Sequence, residues 1–269
     1  MKKVRRIRLL LLILFLELTL FLFTVSISSW AAFVKRSWVF LTPPYTWSPV
    51  LTAPVKTTAH GIQKLADYKI LTQYLFEDQA SLKPWEEKIF KGVTNYQVLK
   101  ANEENYLKSK SKDACSGLFV KIDFPPSANM YLSWRWRALD FPKKKTPDNL
   151  SNKKEDDFAA RVYVIFLGAN YFKSDVIEYI WDEGMPLGTI ATSPFSDRIK
   201  LFVLRSGRAP ESSDGWFDEE RNVYEDYRTL FGKSPTKSIG AIALMSDSDN
   251  TQTSSEADFA EIKLKIKSG

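Results

Sequence analysis

The chain of 269 residues has one cysteine, Cys115, and one histidine, His60. A single cysteine excludes an intramolecular disulfide and any cysteine-rich metal centre. A Ser-His-Asp triad or a histidine-based zinc site would have to use His60, which lies in an irregular linker rather than on a rigid element. No phosphate-binding glycine loop, nucleophile elbow, Cys-His pair or paired-histidine metal motif is present, and no internal repeat stands out. The excess of positive charge is also thinner than it looks. The net charge is +6, but Lys2, Lys3, Arg5, Arg6 and Arg8 against Glu17 place most of it in the first 31 residues. The remainder is close to neutral, so the basic balance is no nucleic-acid signature. Lys143 to Lys145 and Lys153-Lys154 flank Pro147, Asp148 and Asn149 and read as a solvated loop.

What is present begins with the leader. The five basic residues precede an apolar run from Leu9 to Val34, in which Glu17 is the only charge. About 20 such residues span a bilayer core, and basic residues before them keep the N-terminus cytoplasmic. Residues 1–34 are therefore expected to act as a signal anchor or a signal peptide. Ser29-Trp30-Ala31 offers small residues for cleavage, whereas the length of the run favours retention. The rest of the chain is expected to face the periplasm, either tethered to the inner membrane or released. Residues 35–74 read as a stalk, because Pro43, Pro44, Pro49 and Pro54 interrupt Trp38, Phe40, Tyr45 and Trp47. A short helix is expected over Gly61–Leu75.

Residues 75–269 change character. Short apolar-alternating segments, separated by turn residues about every ten positions, predict strands. They fall near 74–77, 85–90, 95–101, 105–109, 117–124, 130–139, 157–167, 176–181, 198–206, 239–245 and 257–266. Such a series argues an all-β sandwich or barrel. One helix is expected, with Asp218, Glu219 and Glu220 in its first turn. Val223, Tyr227, Leu230 and Phe231 line one face, and Gly232 and Pro235 end it. In Leu132-Ser133-Trp134-Arg135-Trp136-Arg137 the tryptophans share one face and the arginines the other. Arg161 sits in mid-strand among apolar neighbours and needs a carboxylate or hydrogen-bond partner.

LSWRWR at 132–137, DDFAARVYVIF at 156–166, Tyr179–Trp181, ERNVYEDY at 220–227, Phe231-Gly232 and AIALMSDSDNT at 241–251 follow one another in an order that resembles the bacterial domain-of-unknown-function family 3047. The resemblance runs from about Leu75 to the C-terminus. The opening, Phe76-Glu77-Asp78, Trp85 and Gly92-Val93-Thr94-Asn95-Tyr96, also looks like the start of jelly-roll sugar-binding modules. The resemblance implies an exported, antiparallel jelly-roll-like β-sandwich, galactose-binding-like, with one short helix. It carries no activity with it, and the sugar-binding analogy is one of fold.

Three constellations could carry function. Asp247 and Asp249 at i and i+2, with Asn250, suit a small oxygen-ligand site for calcium. They also suit an Asx-rich turn, or a pairing of either aspartate with Arg161 or Arg221. Trp134, Trp136, Trp181 and Trp216 with Arg161 form an aromatic and basic set that could stack on a glycan, or a core with structural tryptophans. Arg221 and Asn222 with Asp226 could hold an anionic group at the helix start, while Arg221 and Glu225 at i, i+4 equally suit a solvent-exposed pair. Trp134, Trp136, Arg161, Trp181, Arg221, Asn222 and Asp226 are thus the expected ligand residues. Asp247, Asp249 and Asn250 are the expected metal residues. The expected partners are the membrane and a glycan, with no nucleic acid. A polysaccharide hydrolase or lyase would draw its two carboxyls from Asp157, Asp226, Asp247 and Asp249. A structural domain that binds other proteins is the third reading.

Overall fold

The computed structural model describes residues 68–268, apart from 102, 147–148 and 211–213. The expected leader and most of the stalk lie outside these. Among the described residues no helix is long and apolar enough to cross a membrane.

The described residues form a sandwich of two sheets. One sheet contains β1 (Tyr68–Tyr74), β3 (Asn95–Ala101), β4 (Glu104–Lys112), β6 (Met130–Asp140), β11 (Phe217–Asn222) and β13 (Ser254–Lys267). Its order is β11-β6-β13-β4-β3, with β1 also paired to β13. The other sheet contains β2 (Trp85–Lys91), β5 (Cys115–Phe124), β7 (Ala160–Phe166), β8 (Asp175–Asp182), β9 (Ile190–Ser193), β10 (Ser196–Ser206) and β12 (Ile239–Met245). Its order is β2-β5-β12-β7-β8-β10-β9. The chain passes from sheet to sheet at most of its loops.

Period-two patterning builds the core between the sheets. Leu132, Trp134, Trp136 and Ala138 of β6 face Val162, Val164 and Phe166 of β7 and Ile177, Tyr179 and Trp181 of β8 in one buried cluster. Trp134 stacks on Tyr179 with ring centroids 5.2 Å apart. A smaller cluster, Leu150, Phe158, Ile180, Met185, Leu201 and Val203, lies where the 141–159 loop covers the outer face of the second sheet.

Four expectations change. Residues 68–74 are a strand rather than part of a helix, because they pair with the last turnless stretch of β13, from Tyr68 opposite Lys267 to Tyr74 opposite Ile262. The sandwich therefore begins before residue 75. The sheets are not wholly antiparallel, since β10 runs parallel to β8. Residues 190–193 form an edge strand on β10. Finally, Asp218, Glu219 and Glu220 belong to a strand, not to a first helical turn. Cross-strand partners explain this: Asp218 pairs with Arg135 at 3.0 Å, Glu219 with Arg205 at 2.5 Å and Glu220 with Lys265 at 2.6 Å. The helix α1 starts later, at Val223, and runs to Phe231. Asn222 is its N-cap, accepting from the N–H groups of Tyr224 and Glu225, and Gly232 ends it at φ 67°.

The long strand β13 changes partner midway, from β4 to β1. Its register against β6 shifts between Ala260 and Lys263, and Glu261 there has φ 52°. This is a bulge, which lets one strand serve two neighbours on the same side.

Candidate functional site

The seven expected ligand residues do not converge. Trp134, Trp136 and Trp181 are each at most 1% exposed and fill the core between the sheets, so none offers a ring face to a ligand. The bulk that suits a tryptophan to sugar stacking here serves packing instead. At the start of α1, Arg221 and Asp226 satisfy each other, while Asn222 caps the helix and donates to the Ala128 carbonyl at 2.8 Å. Arg221 donates twice to Asp226, at 2.9 and 2.5 Å, and Tyr179 Oη donates to the same carboxylate at 2.6 Å. Glu225 pairs with Arg228, not with Arg221.

Arg161 is 3% exposed and lies on the outer face of the second sheet, beneath the 141–159 loop. Its Nε donates to Asp247 at 2.8 Å and one Nη at 2.5 Å, and the other Nη donates to Glu178. The Asp156 carbonyl accepts from it as well, and the Phe158 ring lies 4.4 Å from the guanidinium. A backbone N–H, that of Phe158, also reaches Asp247 at 3.0 Å. Asp157 is buried nearby and accepts from Thr251 and Asn250.

This cluster has more buried acids than Arg161 alone can balance. Burial pushes the carboxyls of Glu178 and Asp247 up, to about 7 and about 8 respectively, against the pull of Arg161. Three N–H donors converge on Asp247 and pull it back toward the charged form, but burial keeps both carboxyls raised, so the pair takes up a proton in the folded state that an exposed chain would release.

The expected metal residues share this corner. Cys115 Sγ and carboxylate oxygens of Asp247 and Asp249 lie within 4.8 Å of one another. Calcium takes six to eight oxygen ligands, and sulfur is not among its donors. Both Asp247 oxygens are already engaged by Arg161, and the Asn250 amide N–H groups turn to Asp157 and Asp249. The donor set suits an ion-pair hub better than calcium. Of the carboxylates considered for hydrolysis, Asp157, Asp226 and Asp247 are all buried and occupied internally, and Asp249 is half-buried.

A different place brings aromatic and polar side chains together at the surface. On the outer face of the first sheet, Ala101, Glu104, Tyr106, Arg137, Asp214 and Trp216 line a hollow of about 260 Å³. Trp216, half-buried, lies over Arg137 at 4.8 Å and Arg135 at 5.3 Å, and its ring meets Tyr106 edge-on at 5.9 Å. Each arginine is held beneath it. Arg135 donates to Glu104 at 2.5 Å, and Arg137 donates to the buried Asp258 at 2.7 Å. Burial raises the Asp258 carboxyl, although Arg137 pulls it down. The backbone N–H of Trp216 donates to Asp214 at 3.1 Å. The alternation that sends Trp134 and Trp136 into the core is what sends Arg135 and Arg137 out to this hollow.

The family model described as "Protein of unknown function (DUF3047)" matches residues 83–263. The chain belongs to this family. No curated protein matches the DUF3047 chain in sequence. Among solved structures it is similar to the family 11 carbohydrate-binding module from Clostridium thermocellum, in complex with a β-1,3-1,4-mixed-linked tetrasaccharide. That match has 12% identity and a TM-score of 0.39, covering 71% of this chain and 94% of that one. A non-crystalline-cellulose-specific family 28 module matches at 10% identity and a TM-score of 0.40, over 71% and 92%. The CBM22-1 xylan-binding domain from Paenibacillus barcinonensis matches at 9% and 0.35, over 75% and 97%.

In this DUF3047 domain, the hollow's residues come from the end of β3, from β4, from β6 and from the loop before β11. Arg135 and Arg137 were marked by their alternation with tryptophan and Trp216 by its type. Tyr106, Glu104 and Asp214 carried no local signal.

Proposed function

We propose that this DUF3047 domain is a jelly-roll carbohydrate-binding module presented outside the cytoplasmic membrane. The observation that carries the reading is the hollow around Trp216. An aromatic ring borders it, Tyr106 closes one side, and Arg137, Glu104 and Asp214 bring hydrogen-bonding groups to its wall. Sugar rings present an apolar face and a rim of hydroxyls, and a flat aromatic beside fixed polar groups is complementary to both. At about 260 Å³ the hollow lies just under the size of pockets for drug-sized ligands, which suits one sugar ring of a longer chain. The basic and apolar leader of residues 1–34 supports the periplasmic placement, as an anchor or as a cleaved signal.

A glycan-array screen of the protein, followed by calorimetry on the hits, tests this. Trp216→Ala is expected to weaken binding at least about tenfold while circular dichroism stays unchanged. Binding that survives this substitution would move the site elsewhere. Within the same proposal, the Asp247–Asp249 turn acts as an ion-pair hub. Chelation is then expected to leave the melting temperature where it was, and a fall reversed by added calcium would restore the calcium reading.

A further inference from the structure

We infer that the Trp216 hollow takes a neutral sugar and disfavours glycans that carry carboxylate, phosphate or sulfate. This rests on the carbohydrate reading of the same hollow and adds the ligand class. The argument starts from charge already spent. Two guanidinium groups stand under Trp216, and two cations facing a cleft would ordinarily invite an anion. Here both are taken. Arg135 pairs with Glu104 at 2.5 Å and Asp218 at 3.0 Å, and Glu261 lies 3.9 Å away. Arg137 pairs with Asp258 at 2.7 Å and also donates to the Asp214 carbonyl at 3.4 Å.

What remains open at the wall is acceptor-rich. Glu104 and Asp214 line the hollow, and the Asp214 side chain is exposed. Beneath Arg137, Asp258 is fully buried and acts only through its pair with that arginine. Acceptors in excess want donors, and sugar hydroxyls bring donors without charge. An anionic ring would meet the carboxylates of Glu104 and Asp214, while Arg135 and Arg137 are already paired with carboxylates. One unit of like charge a few ångström away, at a partly hydrated surface, costs about tenfold in affinity. The arginines therefore act as flat, charge-neutralised floor for Trp216 rather than as anion clamps.

Calorimetry on the full-length protein in detergent decides this, with cellohexaose, xylohexaose and mannohexaose as neutral probes and hexagalacturonate as the acidic one. At low ionic strength at least one neutral probe is expected to bind at least about tenfold more tightly than hexagalacturonate. The gap should narrow in 0.5 M salt (roughly a 4 Å screening length). Asp214→Asn removes one wall charge but keeps an oxygen for the backbone N–H of Trp216, and it should narrow the ratio of the neutral to the acidic affinity severalfold. Equal or tighter binding of hexagalacturonate overturns the inference and leaves the carbohydrate reading standing. If none of the probes and no glycan on the array binds, both are overturned. A gap indifferent to salt and to Asp214→Asn would show that shape, not charge, discriminates, and the inference fails.

Discussion

Arg161 shows what a buried charge demands of its surroundings. Every nitrogen of its guanidinium is committed, to Asp247, Glu178 and Asp156, and Phe158 lies against its face. Removing it would leave several carboxylates buried without a counter-charge. Arg161→Ala is therefore expected to destabilise the fold by roughly 3–5 kcal/mol in urea titrations. A loss below about 1 kcal/mol would mean that the carboxylates simply protonate, and the hub would not deserve that description. Lysine would not substitute well, because one ammonium cannot span Asp247 and Glu178 with planar donors. The same residue-level accounting separates the tryptophans. Trp134 and Trp136 project from β6 into the core, whereas Trp216 sits outside the first sheet on a pair of arginines.

At the level of elements, strand β13 organises the first sheet. It pairs with β6 along one side and with β4 and then β1 along the other. Strand β1 is thus more than a tail. Leu71 and Tyr74 pack against the core, and Tyr74 meets Trp85 edge-on at 5.1 Å. Tyr68 Oη donates to Glu220 at 2.6 Å, which ties β1 to β11 across β13 and β6. A chain that starts at residue 75 would expose the C-terminal half of β13 as an unprotected edge. Compared with a chain that starts at residue 66, it is expected to lose roughly 2–4 kcal/mol and to associate at high concentration. Equal urea midpoints, with both chains monomeric in sedimentation, would make β1 dispensable.

The whole molecule carries a pH dependence set by the buried hub. Glu178 is pushed from 4.5 in an exposed chain to about 7 when folded, chiefly by burial. The folded state therefore binds a proton that the unfolded chain has already released, so stability falls as pH rises from about 4.5 through about 7. The loss is on the order of 3 kcal/mol. Glu220 and Glu256 act in the opposite sense: lysine partners hold them below the ordinary carboxylate range, so their contribution is lost on acidification. Melting temperature should therefore peak in mildly acid buffer and decline toward pH 8.5. Glu178→Gln, which keeps an oxygen for Arg161, should flatten the alkaline limb. A limb unchanged in that variant would place the proton on Asp247 instead.

Local patterning was enough to place most strands, because side-chain alternation is a property of each strand alone. Asn95–Ala101 and Ile239–Met245 begin and end where the alternation predicts. The C-terminal end of the helix was equally readable, from Gly232 and the spacing of Val223, Tyr227 and Leu230. The strand Phe217–Asn222 was not. Its run of acids has the composition of a helix start, and only Arg135, Arg205 and Lys265 from other strands make it a strand. Tyr68–Tyr74 likewise became a strand because β13 offered an edge. By itself the sequence determined an all-β domain, one helix, a buried arginine in need of an acid, and two faces on the LSWRWR strand. The tertiary structure alone decided which face met a partner sheet. That choice buried the tryptophans expected to bind and left their arginines to support Trp216, because sheet pairing joins residues that no spacing in the chain relates.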